Sequence, residues 1–274
     1  MEKKTKQSVA LGAAIAAIAA AIILCIAVPL LCTDQAAVSL ADVRLIAHRG
    51  YSAAAPENSL AAFRLAGEHG FWGAECDIQQ TADGQWIVMH DDDVDRTTDG
   101  AGPVRTFSFS GIRTLHIDSG NGLDRFPNEK VPTLTEYLDI CREYGIHPVI
   151  EIKKSPVEQM DGLAALLSAR EEKERFVVIS FSRDDLARIK QLMPQTEMYL
   201  LTQKATRNDI DFCLQNGING LDFKHKTGND VIRAAQDAGL KTVVWTIDST
   251  KKAARFLKLG VDGITTNALL PPEE

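Results

Sequence analysis

The chain has 274 residues, of which 45% are hydrophobic and 24% charged, values typical of a globular protein with one large or two small domains. This composition excludes a disordered chain, a collagen-like fibre and a coiled coil, and five cysteines are too few for a small disulfide scaffold. The net charge of −7 argues against binding to nucleic-acid phosphates, so we expect no nucleic-acid partner.

The chain begins with a basic tail over residues 1–8, and an uncharged apolar segment follows over residues 9–32. As an α-helix the apolar segment would be about 36 Å long, enough to cross the hydrocarbon core of a bilayer. Because lysines precede it, the positive-inside rule predicts a single-pass protein of the cell membrane, with the rest of the chain on the extracytoplasmic side. A cleaved signal peptide is the alternative, but its apolar region would be shorter and would end at a small-residue cleavage site.

The remainder of the chain differs from this start in its charge. One glutamate and three lysines give residues 1–33 a net charge of +2, so the residues after them carry −9. Residues 33–42 are predicted to be a linker, and residues 43–274 to be a single domain. We therefore expect an acidic domain that is held at a membrane by a basic, apolar anchor.

Strand-like and helix-like segments alternate from residue 43 onward. Repeated strand–helix units in one chain favour an α/β fold with a parallel sheet, and eight such units predict a closed (β/α)₈ TIM barrel. A doubly wound open sheet is the alternative, but no glycine-rich GxGxxG loop follows the first strand. The predicted barrel strands are residues 43–48, 74–80, 148–152, 176–181, 197–202, 220–223, 241–246 and 263–266.

One hairpin interrupts this alternation. The run from Thr81 to Gly84 predicts a turn, after which residues 85–90 return antiparallel to the second strand. If the turn is centred between Asp83 and Gly84, His90 lies opposite Asp77. The glycine-rich segment from about residue 91 to 130 is then predicted to be a short insertion over the mouth of the barrel.

Three carboxylates are expected at the mouth, where the active sites of such barrels lie. Glu75 and Asp77 share one face of the second strand because strand side chains alternate, and Glu151 lies near the end of the third. Three carboxylates at one place repel each other unless a cation lies between them. Oxygen ligands select a hard ion, so the sequence predicts a Ca²⁺ or Mg²⁺ site.

Two histidines and two cations are predicted to join this metal site. His48 ends the first strand, and His90 returns to the site through the hairpin. Two imidazoles can divide the acid–base work of phosphodiester cleavage, one taking a proton from the nucleophile and one donating a proton to the leaving alkoxide. Arg49 and Lys153 are predicted to bind the phosphate.

These residues form part of a longer series of motifs that resembles the glycerophosphodiester phosphodiesterase family. The resemblance extends from about residue 45 to 267, and Ser59 stands where that family usually has threonine. The motifs are His48-Arg49-Gly50, Pro56-Glu57-Asn58-Ser59, Glu75-x-Asp77, Thr81-x-Asp83-Gly84, His90-Asp91, Glu151-x-Lys153, Pro132-Thr133-Leu134, Val244-Trp245-Thr246 and Gly260-Val-Asp-Gly263.

The resemblance implies metal-dependent hydrolysis of glycerophosphodiesters to glycerol 3-phosphate and an alcohol. It implies the same metal ligands, catalytic histidines and phosphate-binding residues that the strand positions predict. Glu57 would orient Arg49 or approach the metal, and Trp245 would either belong to the core or pack against the glycerol. Lys224 and His225 follow the sixth strand at the same end and are interpreted as a solvated loop.

Other functions stay open at this point. A related phospholipase D-like or C-like enzyme would act on lipids, to which the anchor would bring the domain close, and a glycerol-phosphate polymer is another candidate substrate. A non-catalytic binding protein is less favoured, because no ligand or histidine of the motifs is missing. A small-molecule substrate and the membrane are the expected partners, and we infer no protein partner.

Overall fold

The computed structural model describes residues 39–153, 155–170 and 175–272. The predicted basic tail, the membrane anchor over residues 9–32 and the first part of the linker lie outside the described residues. Within the described ranges, none of the helices combines the length and the apolar character needed to cross a membrane. The anchor therefore stays a prediction.

Eight parallel strands close into a barrel, and helices alternate with them around its outside. The barrel closes because β1 pairs with β9 on one side and with β2 on the other. The strands are β1 Arg44–Ala47, β2 Gly73–Gln80, β4 His147–Ile152, β5 Val177–Ser180, β6 Glu197–Thr202, β7 Gly220–Lys224, β8 Lys241–Trp245 and β9 Gly263–Thr266, while β3 Trp86–Val88 pairs antiparallel with β2. The predicted α/β fold, a (β/α)₈ TIM barrel, is confirmed.

Local signals in the sequence explain where several helices begin and end. Ser59 caps the first helix by accepting a hydrogen bond from the Ala62 N–H, and Thr133 forms a capping box with Glu136. The helices are α1 Leu60–Glu68, α2 Phe109–Ile112, α3 Leu134–Tyr144, α4 Met160–Ser168, α5 Arg183–Leu192, α6 Arg207–Asn216, α7 Asn229–Asp237 and α8 Thr250–Leu259. The apolar faces of these helices, except the short α2, contribute to one continuous core on the outside of the sheet.

A second core fills the middle of the barrel and positions the side chains above it. Because side chains alternate along a strand, a residue two positions further along points into the same interior, but nearer the mouth. Glu151 therefore lies above Val149 on the inner side of β4, and Trp245 lies above Val243 on the inner side of β8. The apolar side chains of this inner core are Ile46, Val149, Val177, Ile179, Tyr199, Leu201 and Val243.

The hairpin between β2 and β3 differs from its predicted register by one residue. The Met89 N–H donates a hydrogen bond of 2.9 Å to the carbonyl of Asp77, so Met89 rather than His90 lies opposite Asp77. Gly84 has a φ of 77°, and its N–H donates to the Thr81 carbonyl. A turn followed by a left-handed glycine makes a three-residue loop instead of the two-residue loop that the prediction assumed.

The segment between β3 and α3 packs over one side of the mouth. It has a small apolar core of its own, which includes Val94, Val104 and Ile112. Asn121 donates a hydrogen bond of 2.8 Å to the Ser52 carbonyl, and Arg125 donates to the Ala54 carbonyl. This segment thereby holds the loop that follows β1, on which the first site residues lie.

Candidate active site

A cavity of about 220 Å³ opens at the carboxyl ends of the strands. The predicted metal ligands, histidines and phosphate-binding residues meet here, although they come from four different strand ends. The predicted site residues that line the cavity are His48, Arg49, Glu75, His90, Glu151, Lys153 and Trp245.

The three predicted metal ligands form a buried cluster on two neighbouring strands. Asp77 on β2 pairs in register with Glu151 on β4, and Glu75 lies on the same face of β2 as Asp77. One oxygen of each carboxylate lies within 4.8 Å of the others, and all three residues are buried. Burial, followed by repulsion from Asp77, raises the pKa of Glu75 well above its ordinary value and that of Glu151 to about 7.

This cluster fits a hard divalent cation. The Asp77 Oδ1 atom is buried and has no hydrogen-bond partner in the part of the chain that the structure describes. A hard cation requires several oxygen ligands. Three carboxylates that repel one another, one of them with an unpartnered oxygen, supply such ligands. The donor atoms suit a divalent cation but leave the choice between Ca²⁺ and Mg²⁺ open.

Two cations lie beside the carboxylates and extend toward the cavity. Lys153 Nζ lies 3.0 Å from Glu151 Oε1 and 3.5 Å from Asp77 Oδ1. Arg49 Nε lies 3.6 Å from Asp77 Oδ2, and the Arg49 backbone N–H donates a hydrogen bond of 2.7 Å to Glu75 Oε2. Burial alone would lower the pKa of Lys153, but the charges of Asp77 and Glu151 raise it, so its side chain is held as a cation.

Glu57 orients Arg49, which was one of its two predicted roles. Its Oε1 accepts a hydrogen bond of 2.8 Å from Arg49 Nη1, while Arg96 donates to both of its oxygens. Burial opposes ionisation, but the hydrogen bonds from Arg96 and the charge of Arg49 lower the pKa of Glu57 to about 2. Glu57 therefore carries a charge that fixes the guanidinium of Arg49 at the edge of the cavity.

His48 is held in one orientation by a neutral amide. Its Nδ1 lies 2.8 Å from Asn267 Oδ1, and Asn267 Nδ2 donates to Asp248 Oδ2 at 2.8 Å. The contact with Asp248 assigns Oδ1 of Asn267 as the acceptor, so Nδ1 of His48 carries the hydrogen and Nε2 has a free lone pair. Burial, followed by the charge of Arg49, lowers the pKa of His48, which keeps this ring neutral near pH 7.

His90 reaches the cavity in spite of the shifted hairpin register. β3 ends at Val88, so the alternation of side chains along this strand stops before His90. Its Nδ1 lies 2.6 Å from Asp91 Oδ1, and Arg96 donates to the other oxygen of Asp91. Hydrogen bonding from Arg96 lowers the pKa of Asp91 to about 2, so a charged carboxylate faces the His90 ring and favours a proton on Nδ1.

Several residues of the site were missed by sequence reasoning. Asn58, named above only as part of the Pro56-Glu57-Asn58-Ser59 motif, has a φ of 55° and donates a hydrogen bond of 2.8 Å to Asp77 Oδ2. Asparagine is one of the few residues that adopt this left-handed conformation readily, which is the signal that could have separated it from the cap Ser59. Asn267, Asp248 and Arg96 were not assigned to the site either.

The wall of the cavity opposite the carboxylates is aromatic and contains one buried acid. Trp245 packs edge-on against Phe181 at 5.9 Å between ring centres, and its Nε1 donates a hydrogen bond of 3.3 Å to the Asp222 carbonyl. The Asp222 side chain lines the cavity, and its Oδ1 is buried without a hydrogen-bond partner among the described residues. Burial, followed by the charge of Glu151, raises the pKa of Asp222 well above its ordinary value.

Known proteins share this arrangement of strands. The model of the "Glycerophosphoryl diester phosphodiesterase family" matches residues 48–270. A glycerophosphodiester phosphodiesterase from Caldanaerobacter subterraneus subsp. tengcongensis is 34% identical over 227 residues, which cover 81% of this chain and 93% of that protein.

Solved structures give the same result. An Oleispira antarctica phosphodiesterase in complex with the product sn-glycerol-3-phosphate matches with a TM-score of 0.77 at 26% identity, covering 82% of this chain and 92% of that chain. A glycerophosphodiester phosphodiesterase from Agrobacterium tumefaciens matches with a TM-score of 0.71 at 27% identity, covering 82% and 96%. The resemblance inferred from the motifs is confirmed.

Proposed function

We propose a mechanism for this chain, which belongs to the glycerophosphoryl diester phosphodiesterase family and is a glycerophosphodiester phosphodiesterase. In this mechanism the enzyme hydrolyses glycerophosphodiesters to glycerol 3-phosphate and an alcohol, with His48 and His90 as the acid–base pair. The observation that carries the proposal is the meeting of these two rings with the buried carboxylates in one cavity. The complex of the Oleispira antarctica relative with sn-glycerol-3-phosphate supports the choice of product.

The substrate phosphate binds in the cavity beside the carboxylate cluster, where Arg49 and Lys153 form part of the wall. Arg49 and Lys153 extend toward the cavity and neutralise the phosphate oxygens, and Glu57 keeps the Arg49 fork in place. Glu75, Asp77 and Glu151 would hold a divalent cation, which when bound supplies Lewis-acid stabilisation of the negative charge on the phosphoryl oxygens.

The two histidines divide the proton transfers according to their partners. His48 is neutral near pH 7 and has its Nε2 lone pair free, so it takes the proton from the attacking hydroxyl. His90 has its Nδ1 2.6 Å from Asp91 Oδ1, which orients the ring in the cavity, so we assign to it the donation of a proton to the leaving alkoxide. If the attacking hydroxyl belongs to water, glycerol 3-phosphate forms in one step. If it belongs to the glycerol part of the substrate, the alcohol leaves first and water then opens the cyclic phosphate to glycerol 3-phosphate.

The test is product analysis with glycerophosphocholine, with and without a chelator. We expect glycerol 3-phosphate and choline, loss of activity in excess chelator, and its return when Ca²⁺ or Mg²⁺ is added. His48→Ala and His90→Ala should each lower kcat by about 10²–10⁴-fold. Phosphocholine and glycerol would instead indicate phospholipase C-like cleavage, and full activity in excess chelator would contradict the metal role.

The same enzyme is proposed to act at the outer face of a cell membrane. The uncharged residues 9–32 and the lysines before them support this location, as described above. The full-length protein should remain with membranes after alkaline carbonate extraction, and its barrel should be digested by a protease that is added to intact cells. Release into the carbonate supernatant, or protection from the protease, would contradict the proposed location.

A further inference from the structure

The loop after β7 and the start of α8 place three lysines and one histidine near the rim of the cavity. Lys224 ends β7, His225 and Lys226 follow it, and Lys252 lies in the first turn of α8. In a barrel each helix begins near the carboxyl end of the strand before it, so the start of α8 lies at the same end as the cavity. We name these four residues, Lys224, His225, Lys226 and Lys252, the basic rim.

The loop that carries the basic rim is fixed to its neighbours. Arg255 on α8 donates hydrogen bonds to the carbonyls of His225 at 3.2 Å and Thr227 at 3.1 Å, and to Asn229 Oδ1 at 2.6 Å. The His225 N–H donates to the Trp245 carbonyl at 2.9 Å. The rim is therefore a preorganised surface, and an anion that binds there need not order the loop first.

The three lysines of the rim surround one loop. Lys224 and Lys226 flank His225, and Arg255, one helical turn after Lys252, donates a hydrogen bond of 3.2 Å to the His225 carbonyl. Burial, followed by the charges of Lys252, Lys226 and Lys224, lowers the pKa of His225. The structure shows no salt bridge to these three lysines within residues 39–153, 155–170 and 175–272. Nδ1 of His225 is buried without a hydrogen-bond partner in those same ranges.

This pattern differs from that of the cations inside the cavity. Arg49 lies against Asp77 of the cluster, and Lys153 lies against Glu151. An unpaired group of positive charges in an acidic protein costs free energy, and a bound anion would offset that cost. The rim thus has the electrostatics of an anion site rather than those of a solvated surface with mixed charges.

The rim and the cavity share a wall. Lys224 Nζ lies 5.2 Å from the centre of the Trp245 ring and 3.2 Å from Gln203 Oε1. Trp245 and Gln203 both line the cavity. Arg49 and Lys153 line the cavity, whereas the four residues of the rim do not, so an anion on the rim is a different group from the phosphate that is cleaved.

We propose that the basic rim binds a second anionic group, a phosphate, of a substrate that extends out of the cavity. The preferred substrate class is then a glycerophosphodiester with at least one further phosphate on its alcohol part. This inference rests on the proposed function. Because the rim does not reach the reacting atoms, it contributes equally to ground-state and transition-state binding and lowers KM with little change in kcat.

The test compares two substrates with the same alcohol. Glycerophosphoglycerol carries only the diester charge, and glycerophosphoglycerol with a terminal phosphate carries a second anionic group. The wild-type protein should favour the phosphorylated substrate, and Lys224→Gln/Lys226→Gln/Lys252→Gln should raise its KM by about tenfold. The same triple variant should hydrolyse glycerophosphoglycerol as the wild type does, within about twofold.

A matched control lies on the same helix. Lys258 is in the last turn of α8, at the opposite end from the cavity. Lys258→Gln should therefore leave KM for both substrates unchanged, whereas Lys252→Gln should raise KM for the phosphorylated substrate. The wild-type preference should also shrink as NaCl rises from about 0.1 M to 1 M, because the Debye length falls from about 10 Å to 3 Å.

Each alternative result has a distinct meaning. If the triple variant showed an equal rise in KM for both substrates, or no rise for either, the second phosphate site would be overturned. A triple variant that keeps the substrate preference but no longer binds phosphatidylglycerol vesicles would show that the rim contacts a lipid surface, which also overturns it. Failure of the wild-type protein to hydrolyse either glycerophosphocholine or the two glycerophosphoglycerol substrates would instead contradict the proposed function, whereas hydrolysis of glycerophosphocholine without any preference for the phosphorylated substrate would overturn the second phosphate site alone.

Discussion

The two ends of the barrel use the same kinds of polar residue in opposite ways. At the closed end, Arg44 Nη1 lies 2.7 Å from Glu197 Oε1 and 2.8 Å from the Tyr199 hydroxyl. The Arg44 guanidinium also lies 4.6 Å from the centre of the Trp72 ring, which stacks on His147 at 4.2 Å. At this end the charge of Arg44 is thus balanced by Glu197, and aromatic rings pack against the ion pair.

At the open end, the acids are placed against each other rather than against an equal number of bases. Among the described residues, Arg49 and Lys153 are the cations that pair with the three buried carboxylates, while neutral amides contact two further groups: Asn58 donates to Asp77, and Asn267 accepts from His48. The open end therefore has fewer internal partners for its charges than the closed end. In the proposed mechanism a cation and a phosphate supply the remaining partners.

Exchange of one carboxylate at each end should give opposite results. Glu75→Gln should lower kcat/KM by about a thousandfold, equivalent to about 4 kcal/mol, because a cation ligand is lost. The metal-free variant should melt at the same temperature as the wild type or higher, because the repulsion within the cluster is reduced. Hydrolysis of glycerophosphocholine and thermal melts in chelator measure the two effects.

Glu197→Gln at the closed end is the matched control for this exchange. It should keep kcat/KM within about threefold of the wild type while Tm falls by about 2–4 °C, because a half-buried ion pair worth about 1 kcal/mol is broken. A Glu75→Gln protein that is active but less stable would mean that Glu75 stabilises the fold, as the Arg44–Glu197 ion pair does at the closed end.

The pH profile should separate the arginines at the two ends. Burial and Arg49 lower the pKa of His48, so the acid limb of kcat/KM should have its midpoint below the ordinary histidine pKa of about 6.5. Activity is lost as pH falls through that midpoint, because His48 must be neutral to accept a proton. Arg49→Gln should move the midpoint upward and lower kcat/KM by about 10–100-fold through lost phosphate binding.

Arg44→Gln, at the closed end, provides the comparison. It should leave the midpoint of the acid limb where it is in the wild type, since Arg44 lies with Glu197 and Tyr199 and does not act on His48. An equal shift in both variants would mean that the limb reports the unfolding of the protein and not the titration of His48.

The neutral amide at the open end should act through orientation alone. Asn267→Leu removes the acceptor of the His48 Nδ1 hydrogen, so we expect kcat to fall by about tenfold with KM unchanged. Steady-state kinetics on glycerophosphocholine separate the two constants. A rise in KM of the same size as the loss in kcat would indicate that the cavity has changed shape, and Asn267 would then be a structural residue.

The smallest effect is expected from the charged network at the edge of the open end. Arg96 lowers the pKa of Glu57 and of Asp91 to about 2. Carboxylates with a lowered pKa stabilise the folded state above their unfolded pKa of about 4, and this stabilisation is lost as pH falls toward 2. Arg96→Gln should therefore lower Tm at pH 7 by less than about 4 °C.

The same variant should lose this effect in acid. Its Tm difference from the wild type should shrink between about pH 4 and pH 2, where Glu57 and Asp91 become protonated in both proteins. A difference that stays constant to the lowest pH would show that Arg96 stabilises the protein by packing and not by charge.

Much of the fold and of the site could be predicted because both depend on short-range patterns. Alternation along a strand places Glu75 with Asp77 and Glu151 with Lys153, whatever the rest of the chain does. Repeated strand–helix units predict the barrel, and a barrel predicts which strand ends meet. The hairpin register was wrong by one residue because it depends on the φ of a single glycine, Gly84, which no periodicity reports.

Patterns in the sequence were sufficient to place the three carboxylates, His48, Arg49 and Lys153 at the mouth. The partners of these side chains depend on the folded chain: Asn58 meets Asp77 across 19 residues, and Asn267 meets His48 across 219. These contacts require the closure of the barrel between β1 and β9 and a left-handed turn, because both join segments whose local patterns are independent of each other.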